Sequence, residues 1–131
     1  VRMRFIGRRE GIAPELQERM EWAEGVTADN DRITLFVAFN YGGRAEIVDA
    51  ARTFAGDTED DFRRHLYAPE MHDPDLLIRT SGELRISNYL LWQVAYSEFV
   101  FRDEFWPDFS REAFVQSLEE FAARRRRFGA R

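Results

Sequence analysis

Residues 76–88 read LLIRTSGELRISN and place an apolar run directly before two arginines. Three apolar residues come first, Arg79 follows at once, and Arg85 comes six residues later, after a small polar turn. The next apolar segment begins near Ser87, and its spacing fits a helix. The stretch therefore predicts a strand, a loop and a helix, with the guanidinium groups gathered where the strand ends and the helix begins.

Strand and helix patterns alternate along the rest of the chain. The run at 33–41 is almost entirely apolar, as in a strand covered on both faces. The helix after it should bury Ile47, Ala50 and Ala51. We therefore expect an α/β fold with a largely parallel sheet and helices on both faces, in a single domain over residues 1–131. The predicted strands are 1–6, 33–41, 76–80 and 97–103, and the predicted helices are 14–26, 45–54, 58–66, one starting at 87 or 88, and one after Ser110. Pro14 suits the first turn of its helix, and Thr58 and Ser110 can cap theirs. The last helix has an apolar stripe formed by Phe114, Val115, Leu118, Phe121 and Ala122.

Composition narrows the possible functions. An apolar fraction of 44% with 12 Phe indicates a folded globule, and the absence of cysteine excludes disulfides and thiolate metal sites. The net charge of −5 argues against a general nucleic-acid binder. No apolar run reaches the roughly 18 residues that span a bilayer, so we expect a cytoplasmic protein that can touch a membrane surface transiently. All 19 basic residues are Arg, so any anion site must use guanidinium groups.

The loop after the third strand predicts an anion site. Arg79 ends the strand, Arg85 lies in the loop, and Ser87 falls at the predicted helix N-terminus, where free N–H groups favour an anion. Two guanidinium groups, a hydroxyl and a helix end would together hold a phosphate or a diphosphate. The alternative from spacing alone is that Arg79 pairs with Asp75 or Glu83, Arg85 is solvated, and Ser87 only caps the helix.

A second loop repeats this design. Residues 40–44, NYGGR, follow a predicted strand with two glycines and an arginine at a helix start, so Asn40 and Arg44 are candidate ligands. Glycines let a backbone approach an anion closely. Gly-Gly is equally common in plain tight turns, and that alternative stays open.

Glu98 is the carboxylate most suited to a metal. It begins a strand among aromatic and apolar residues, where an unpaired carboxylate would be costly to bury. A carboxylate beside a diphosphate suggests Mg²⁺, which takes one or two carboxylates together with substrate phosphates and waters. The alternative is that Glu98 pairs with a structural arginine.

Long stretches of the chain resemble a known family. The segments DPDLLIRTSGELRISNYLLWQVAYSEFVF, WPDF, RRRRFG and FNYGGRAEIVDAAR are similar to the carboxyl half of cis-prenyltransferases, above all bacterial undecaprenyl diphosphate synthases. The resemblance covers essentially all 131 residues. It implies that Arg79, Arg85 and Ser87 hold the diphosphate of isopentenyl diphosphate, with Ile86 contributing backbone between them. By the same resemblance Glu98 binds Mg²⁺.

The resemblance also implies further site residues and a reaction. Asp75 and Glu83 match acids that support substrate binding less directly, and Arg127 and Gly129 match a tail that reaches the diphosphate site across a homodimer. The family condenses isopentenyl diphosphate onto an allylic diphosphate, with farnesyl diphosphate as the expected primer. The condensation uses Mg²⁺ and forms cis double bonds, and its product is a long-chain polyprenyl diphosphate from which the cell-wall lipid carrier is made.

One part of the family pattern is missing. Family members begin with a strand and an Asp-Gly-Asn-Gly-Arg-Trp-Ala type loop, which carries the catalytic Asp and the allylic diphosphate site, and no such loop occurs here. The chain opens on Val1 within a strand, so we expect that an upstream part of a larger protein is absent. We therefore predict the residues for isopentenyl diphosphate, no catalytic Asp, and no chain elongation by this polypeptide alone.

Two other functions stay open. One is a non-catalytic cis-prenyltransferase-like subunit that activates a catalytic partner, although an intact RTSGELRISN motif and Glu98 favour the catalytic type. The other is an unrelated anion-binding α/β module, which nucleotide affinity would reveal.

Overall fold

The structure is a computed structural model that describes residues 1–124. Arg127 and Gly129, predicted to act across a dimer, lie outside the described residues. Contacts divide the chain into two compact units, Val1–Met71 and the part from His72 onward. Each unit contains a two-stranded parallel sheet, which confirms the α/β class with parallel pairing. The single domain stays a prediction.

The first unit opens with a parallel crossover. Strand β1 (Arg2–Ile6) pairs with β2 (Thr34–Ala38), and α1 (Pro14–Val26) connects them and packs on β1. Pro14 begins α1, where its missing N–H costs nothing. The start of β2 differs from the prediction of burial on both faces, because Leu35 is 47% exposed. An apolar run indicates two-sided burial only where a helix covers each face of the strand. Helix α1 packs on β1, the neighbouring strand.

Helix α2 (Gly43–Thr53) buries a carboxylate that the apolar pattern did not indicate. Ala50 is buried as predicted, whereas Ala51 is exposed and the prediction for it was wrong. Glu46 lies inside instead, only 1% exposed. Its Oε1 accepts the backbone N–H of Tyr67 at 3.0 Å, and its Oε2 accepts the hydroxyl of Tyr41. These bonds offset the cost of burying a charged group.

A second carboxylate of α2 joins three parts of the first unit. Asp49 accepts two bonds from Arg8, at 2.8 and 2.9 Å, and one from the Tyr67 hydroxyl at 2.5 Å. Arg8 follows β1, and Tyr67 follows the short helix α3 (Glu59–Arg63), which Thr58 caps as predicted. The Arg8 bond first, and then the Tyr67 bond, lower the pKa of Asp49 to about 2. Burial, and then the bond to Asp49, raise the pKa of Tyr67 to about 12.

Acid is expected to destabilise the first unit through Asp49. The folded-state pKa lies below the ordinary value of 3.8, so the stabilisation is fully present above that value and is lost as pH falls towards about 2. Thermal unfolding followed by circular dichroism between pH 5 and pH 2 should show a steeper loss for the unaltered chain than for Asp49→Asn. Parallel pH profiles for the two proteins would contradict this account.

The second unit places its sheet before the last helix. Strand β3 (Leu76–Arg79) pairs in parallel with β4 (Glu98–Phe101). Helix α4 (Arg111–Ala123) follows a short 3₁₀ turn, and the Ser110 hydroxyl accepts the N–H of Ala113 at 3.1 Å, the predicted cap. The buried side of α4 carries the small residues Ala113 and Ser117, whereas Phe114 in the apolar stripe is exposed.

The helix predicted to start at Ser87 or Asn88 does not form. Residues 87–96 fold as successive turns, with positive φ at Ser87 (48°), Asn88 (65°) and Leu90 (45°). Three left-handed residues within four positions are incompatible with a right-handed helix. Leu90 and Val94 are nevertheless buried, which explains why their spacing resembled a helix.

Candidate anion-binding site

The loop after β3 closes onto the guanidinium group of Arg79. Its Nη1 donates to the Ser87 hydroxyl oxygen at 2.9 Å and to the backbone carbonyl of Arg85. The structure therefore brings Arg79 and Ser87 together, as the sequence predicted. Both bonds come from Nη1, so neither uses Nε or Nη2, the pair of donors that binds an oxyanion side-on.

Backbone bonds hold the turn that begins this loop. Ser81 and Gly82 have left-handed φ values of 73° and 67°. The N–H of Ser81 donates to the carbonyl of Glu104 at 2.8 Å, and that of Gly82 to the carbonyl of Arg102 at 2.9 Å. The loop is thus fixed to the segment that follows β4, and Arg79 is presented at the strand end by backbone geometry.

The guanidinium group of Arg85 forms an ion pair within the loop. It pairs with Glu83 at 2.7 Å, and the Arg85 side chain is 67% exposed. One alternative in the sequence analysis paired Arg79 with Asp75 or Glu83. In the structure Glu83 pairs with Arg85 instead. An exposed ion pair of this kind is worth roughly 0–1 kcal/mol, so an anion at Arg79 can draw Arg85 away from Glu83 at little cost.

The loop and the end of β3 enclose a cavity of about 330 Å³. Its lining combines the charged Arg79 and three hydroxyl residues with three aliphatic residues and one aromatic residue. Such a mixed lining suits a small ligand with a charged head and a short hydrocarbon part. The lining residues are Leu77, Ile78, Arg79, Thr80, Ser81, Ile86, Ser87 and Tyr89.

Ser87 lies in a tight turn and does not occupy a helix N-terminus. The N–H of Tyr89 donates to the carbonyl of Ile86 at 3.0 Å, and the two residues between them, Ser87 and Asn88, both have positive φ. This is the pattern of a type I′ turn. The predicted contribution of a helix dipole is therefore absent here, and an anion would be held by side chains and loop N–H groups.

Glu98 lies away from this cavity and already has a cationic partner. It begins β4 opposite Leu76, whereas Arg79 ends β3 opposite Phe101. Three strand residues, about 10 Å, separate the two positions, which also point to opposite faces of the sheet. The Glu98 carboxylate accepts a bond from Arg124 Nη1 at 3.0 Å. The structure thus realises the alternative in which Glu98 pairs with an arginine.

Arg124 is held by three acceptors at the end of α4. Besides Glu98 it donates to the carbonyl of Phe99 at 2.8 Å and to the carboxylate of Glu120. The bond to Glu98 first, and then the bond to Glu120, raise the pKa of Arg124. No group of three or more His, Asp or Glu side chains suited to a metal occurs among residues 1–124.

Magnesium alone is expected to leave the thermal unfolding midpoint of this chain unchanged, because Arg124 already satisfies the Glu98 carboxylate. Differential scanning fluorimetry with increasing MgCl₂ checks this, with Glu98→Gln as the matched control. A midpoint that rises with Mg²⁺ in the unaltered chain and stays constant in Glu98→Gln would contradict the expectation.

The other predicted ligands lie elsewhere. Asp75 precedes β3, and its carbonyl accepts the N–H of Glu98 at 2.9 Å. Asn40 donates both amide hydrogens to backbone carbonyls, those of Arg8 at 3.0 Å and Glu10 at 3.1 Å. Asn40 therefore clamps the loop after β1. Arg44 is exposed at the second position of α2.

Three hydroxyl-bearing residues that line the cavity were not among the predicted ligands: Thr80, Ser81 and Tyr89. The first two were assigned only to a small polar turn. Tyr89 was placed within the predicted helix. The sequence signal that could have found it is Ser-Asn, since Asn tolerates left-handed φ and the pair marks a turn that returns the following side chain to the loop.

Comparison with known proteins identifies the family. Residues 1–129 match the prenyltransferase family model described as "Putative undecaprenyl diphosphate synthase". The chain belongs to this family. Among the family's curated members, it is 47% identical to the isoprenyl transferase of Thermotoga maritima, covering 98% of this chain and 59% of that protein. The isoprenyl transferase of Agrobacterium fabrum is 48% identical, with 99% and 57% covered.

Solved structures of the same fold agree with the family assignment. Lavandulyl diphosphate synthase from Lavandula x intermedia, in complex with dimethylallyl diphosphate, matches with a TM-score of 0.93 and 34% identity, covering 98% of this chain and 60% of that one. An undecaprenyl diphosphate synthase, described as probable, from Campylobacter jejuni matches with a TM-score of 0.90 and 31% identity. The chain spans less than two thirds of the length of each of these relatives.

Proposed function

We propose that this chain carries the isopentenyl diphosphate-binding residues of a prenyltransferase that condenses isopentenyl diphosphate onto an allylic diphosphate with cis geometry. The product would be a long-chain, undecaprenyl-type diphosphate. The observation that supports this most is the cavity whose lining includes the bonded pair Arg79 and Ser87 together with apolar residues. A structural relative bound to dimethylallyl diphosphate, a five-carbon diphosphate, supports the same ligand class.

The proposed role of these residues is to bind and orient the substrate. Charge-assisted bonds to the diphosphate contribute roughly 1.5–3 kcal/mol each, and Arg79 offers them from a fixed strand end. The apolar residues that line the cavity would hold the five-carbon unit, with its double bond directed to the allylic carbon. Such orientation would lower the entropic part of the barrier as the new C–C bond forms and the C–O bond to the allylic diphosphate breaks. The isopentenyl unit then loses one proton, which the released diphosphate can accept.

The remaining features of the reaction are also proposals. Arg85, Ile86, Glu83 and Asp75 lie in or beside the strands and loop that form the cavity. Asn40 and Arg44 are proposed contacts from the glycine-rich loop pattern. Family resemblance alone supports Arg127 and Gly129. We further propose that farnesyl diphosphate is the primer and that Mg²⁺ enters with the diphosphates. The protein would act as a homodimer in the cytoplasm, with transient membrane contact. Within the described residues, no helix has the length and hydropathy to cross a bilayer.

Activity is testable with a chimera. This chain would replace the matching 59% of the Thermotoga maritima isoprenyl transferase, and transfer of radiolabelled isopentenyl diphosphate onto farnesyl diphosphate would be measured. We expect no elongation by the chain alone, elongation by the chimera, and loss of product in the chimera carrying Arg79→Ala. A folded but inactive chimera would contradict the proposed function, and product from the chain alone would contradict its assignment to one substrate only.

A further inference from the structure

The apolar residues that line the cavity have no role in binding a diphosphate. Arg79 and Ser87 account for the charged head, and Thr80 and Ser81 add hydroxyl groups. A site for inorganic phosphate or pyrophosphate would need nothing more. The presence of an aromatic ring, Tyr89, in the same lining therefore calls for a ligand with a hydrocarbon part.

One turn places the ring and the hydroxyl together. The bond from the Tyr89 N–H to the Ile86 carbonyl closes the turn, and left-handed Ser87 and Asn88 lie inside it. The same four residues thus direct the Ser87 hydroxyl to Arg79 and bring the Ile86 and Tyr89 side chains to the cavity. Movement of one group would move the others, so the polar and apolar contacts have a fixed spacing.

The Tyr89 ring has surface left for a ligand to cover. It is 40% exposed although it lines the cavity, and partial burial raises the pKa of its hydroxyl. An aromatic ring with this exposure gains contact area when a hydrocarbon group packs against it, and that area favours binding.

We propose that Tyr89 determines specificity at this site by packing against the hydrocarbon part of the ligand, so that a prenyl diphosphate is preferred over inorganic pyrophosphate. This inference rests on the proposed function. It assigns recognition of the hydrocarbon group to Tyr89, beside the recognition of the diphosphate by Arg79. Ile86 and Leu77 supply the adjoining apolar surface.

Isothermal titration calorimetry with two probes tests the proposal. Isopentenyl diphosphate and inorganic pyrophosphate are titrated into the unaltered chain and into Tyr89→Ala, Tyr89→Phe and Arg79→Ala. We expect Tyr89→Ala to weaken isopentenyl diphosphate about tenfold while pyrophosphate changes by less than about twofold. Tyr89→Phe should retain the preference, and Arg79→Ala should weaken both probes. Tyr96→Ala, at a ring that is 64% exposed and outside the lining, is the matched control.

Each outcome separates the two proposals. Equal weakening of both probes by Tyr89→Ala would show that Tyr89 only supports the loop and would overturn its role in specificity. No preference for isopentenyl diphosphate in the unaltered chain would also overturn it, while Arg79-dependent pyrophosphate binding would leave the anion site standing. Failure of a folded chain to bind either probe would overturn both proposals.

Discussion

Arg79→Ala is expected to weaken the binding of isopentenyl diphosphate by about 100-fold, the equivalent of two charge-assisted hydrogen bonds. The substitution removes the one positive charge among the cavity-lining residues. It also removes the donor that holds the Arg85 carbonyl and the Ser87 hydroxyl, so the loop loses its closure. Calorimetric titration of the variant beside the unaltered chain measures the loss.

Two further variants make this result specific. Arg79→Lys keeps the charge but not the planar set of donors, and we expect an intermediate affinity. Arg64 belongs to the first unit, where its 71% exposed side chain pairs with Asp61. Arg64→Ala should therefore leave the affinity for isopentenyl diphosphate unchanged. Equal affinities for Arg79→Ala and Arg64→Ala would show that the ligand binds elsewhere.

Gly7→Ala is expected to lower the free energy of unfolding by about 3 kcal/mol or more, among the largest effects of single substitutions. Gly7 follows β1 and has φ of +127°, a conformation that side-chain-bearing residues rarely adopt. A Cβ there would lie 2.1 Å from the carbonyl oxygen of Phe39. The clash is with backbone, which Asn40 fixes through its bonds to the carbonyls of Arg8 and Glu10. Equilibrium unfolding in urea, followed by circular dichroism, measures the change.

Gly25→Ala is the matched control for this effect. Gly25 lies within α1, and a Cβ built there meets nothing within 4 Å. Alanine should therefore stabilise the chain by about 0.5–1 kcal/mol, as expected for glycine replacement in a helix. Similar unfolding free energies for the two variants would show that the close approach at Gly7 is relieved by movement of the Phe39 backbone.

Local signals in the sequence predicted most of the fold. The caps at Thr58 and Ser110 and the proline at the start of α1 act within one turn of chain, so the sequence predicted them correctly. The false helix at Ser87 arose because Leu90 and Val94 are buried at helical spacing while the backbone is turned by left-handed residues. The spacing of apolar residues indicates which side chains are buried, but it does not indicate the left-handed backbone conformation of Ser87 and Asn88.

Partners distant in sequence account for what could not be predicted in the site. The meeting of Arg79 and Ser87 was predictable, because only eight positions along the chain separate them. Arg124 lies 26 residues from Glu98, and nothing in the spacing indicated this pair. Glu46 resembled a solvent-facing residue because its partner Tyr67 is 21 residues away.

The most direct test of the diphosphate site is a map of backbone amide chemical shifts during titration with isopentenyl diphosphate. The account predicts saturable shifts concentrated at Thr80–Tyr89, the loop that supplies five of the eight lining residues. A competing location exists in the first unit, where Arg8 and Arg52 line a second, open cavity with Asp49. Shifts at those arginines with none at Thr80–Tyr89, in a folded chain, would contradict the central claim.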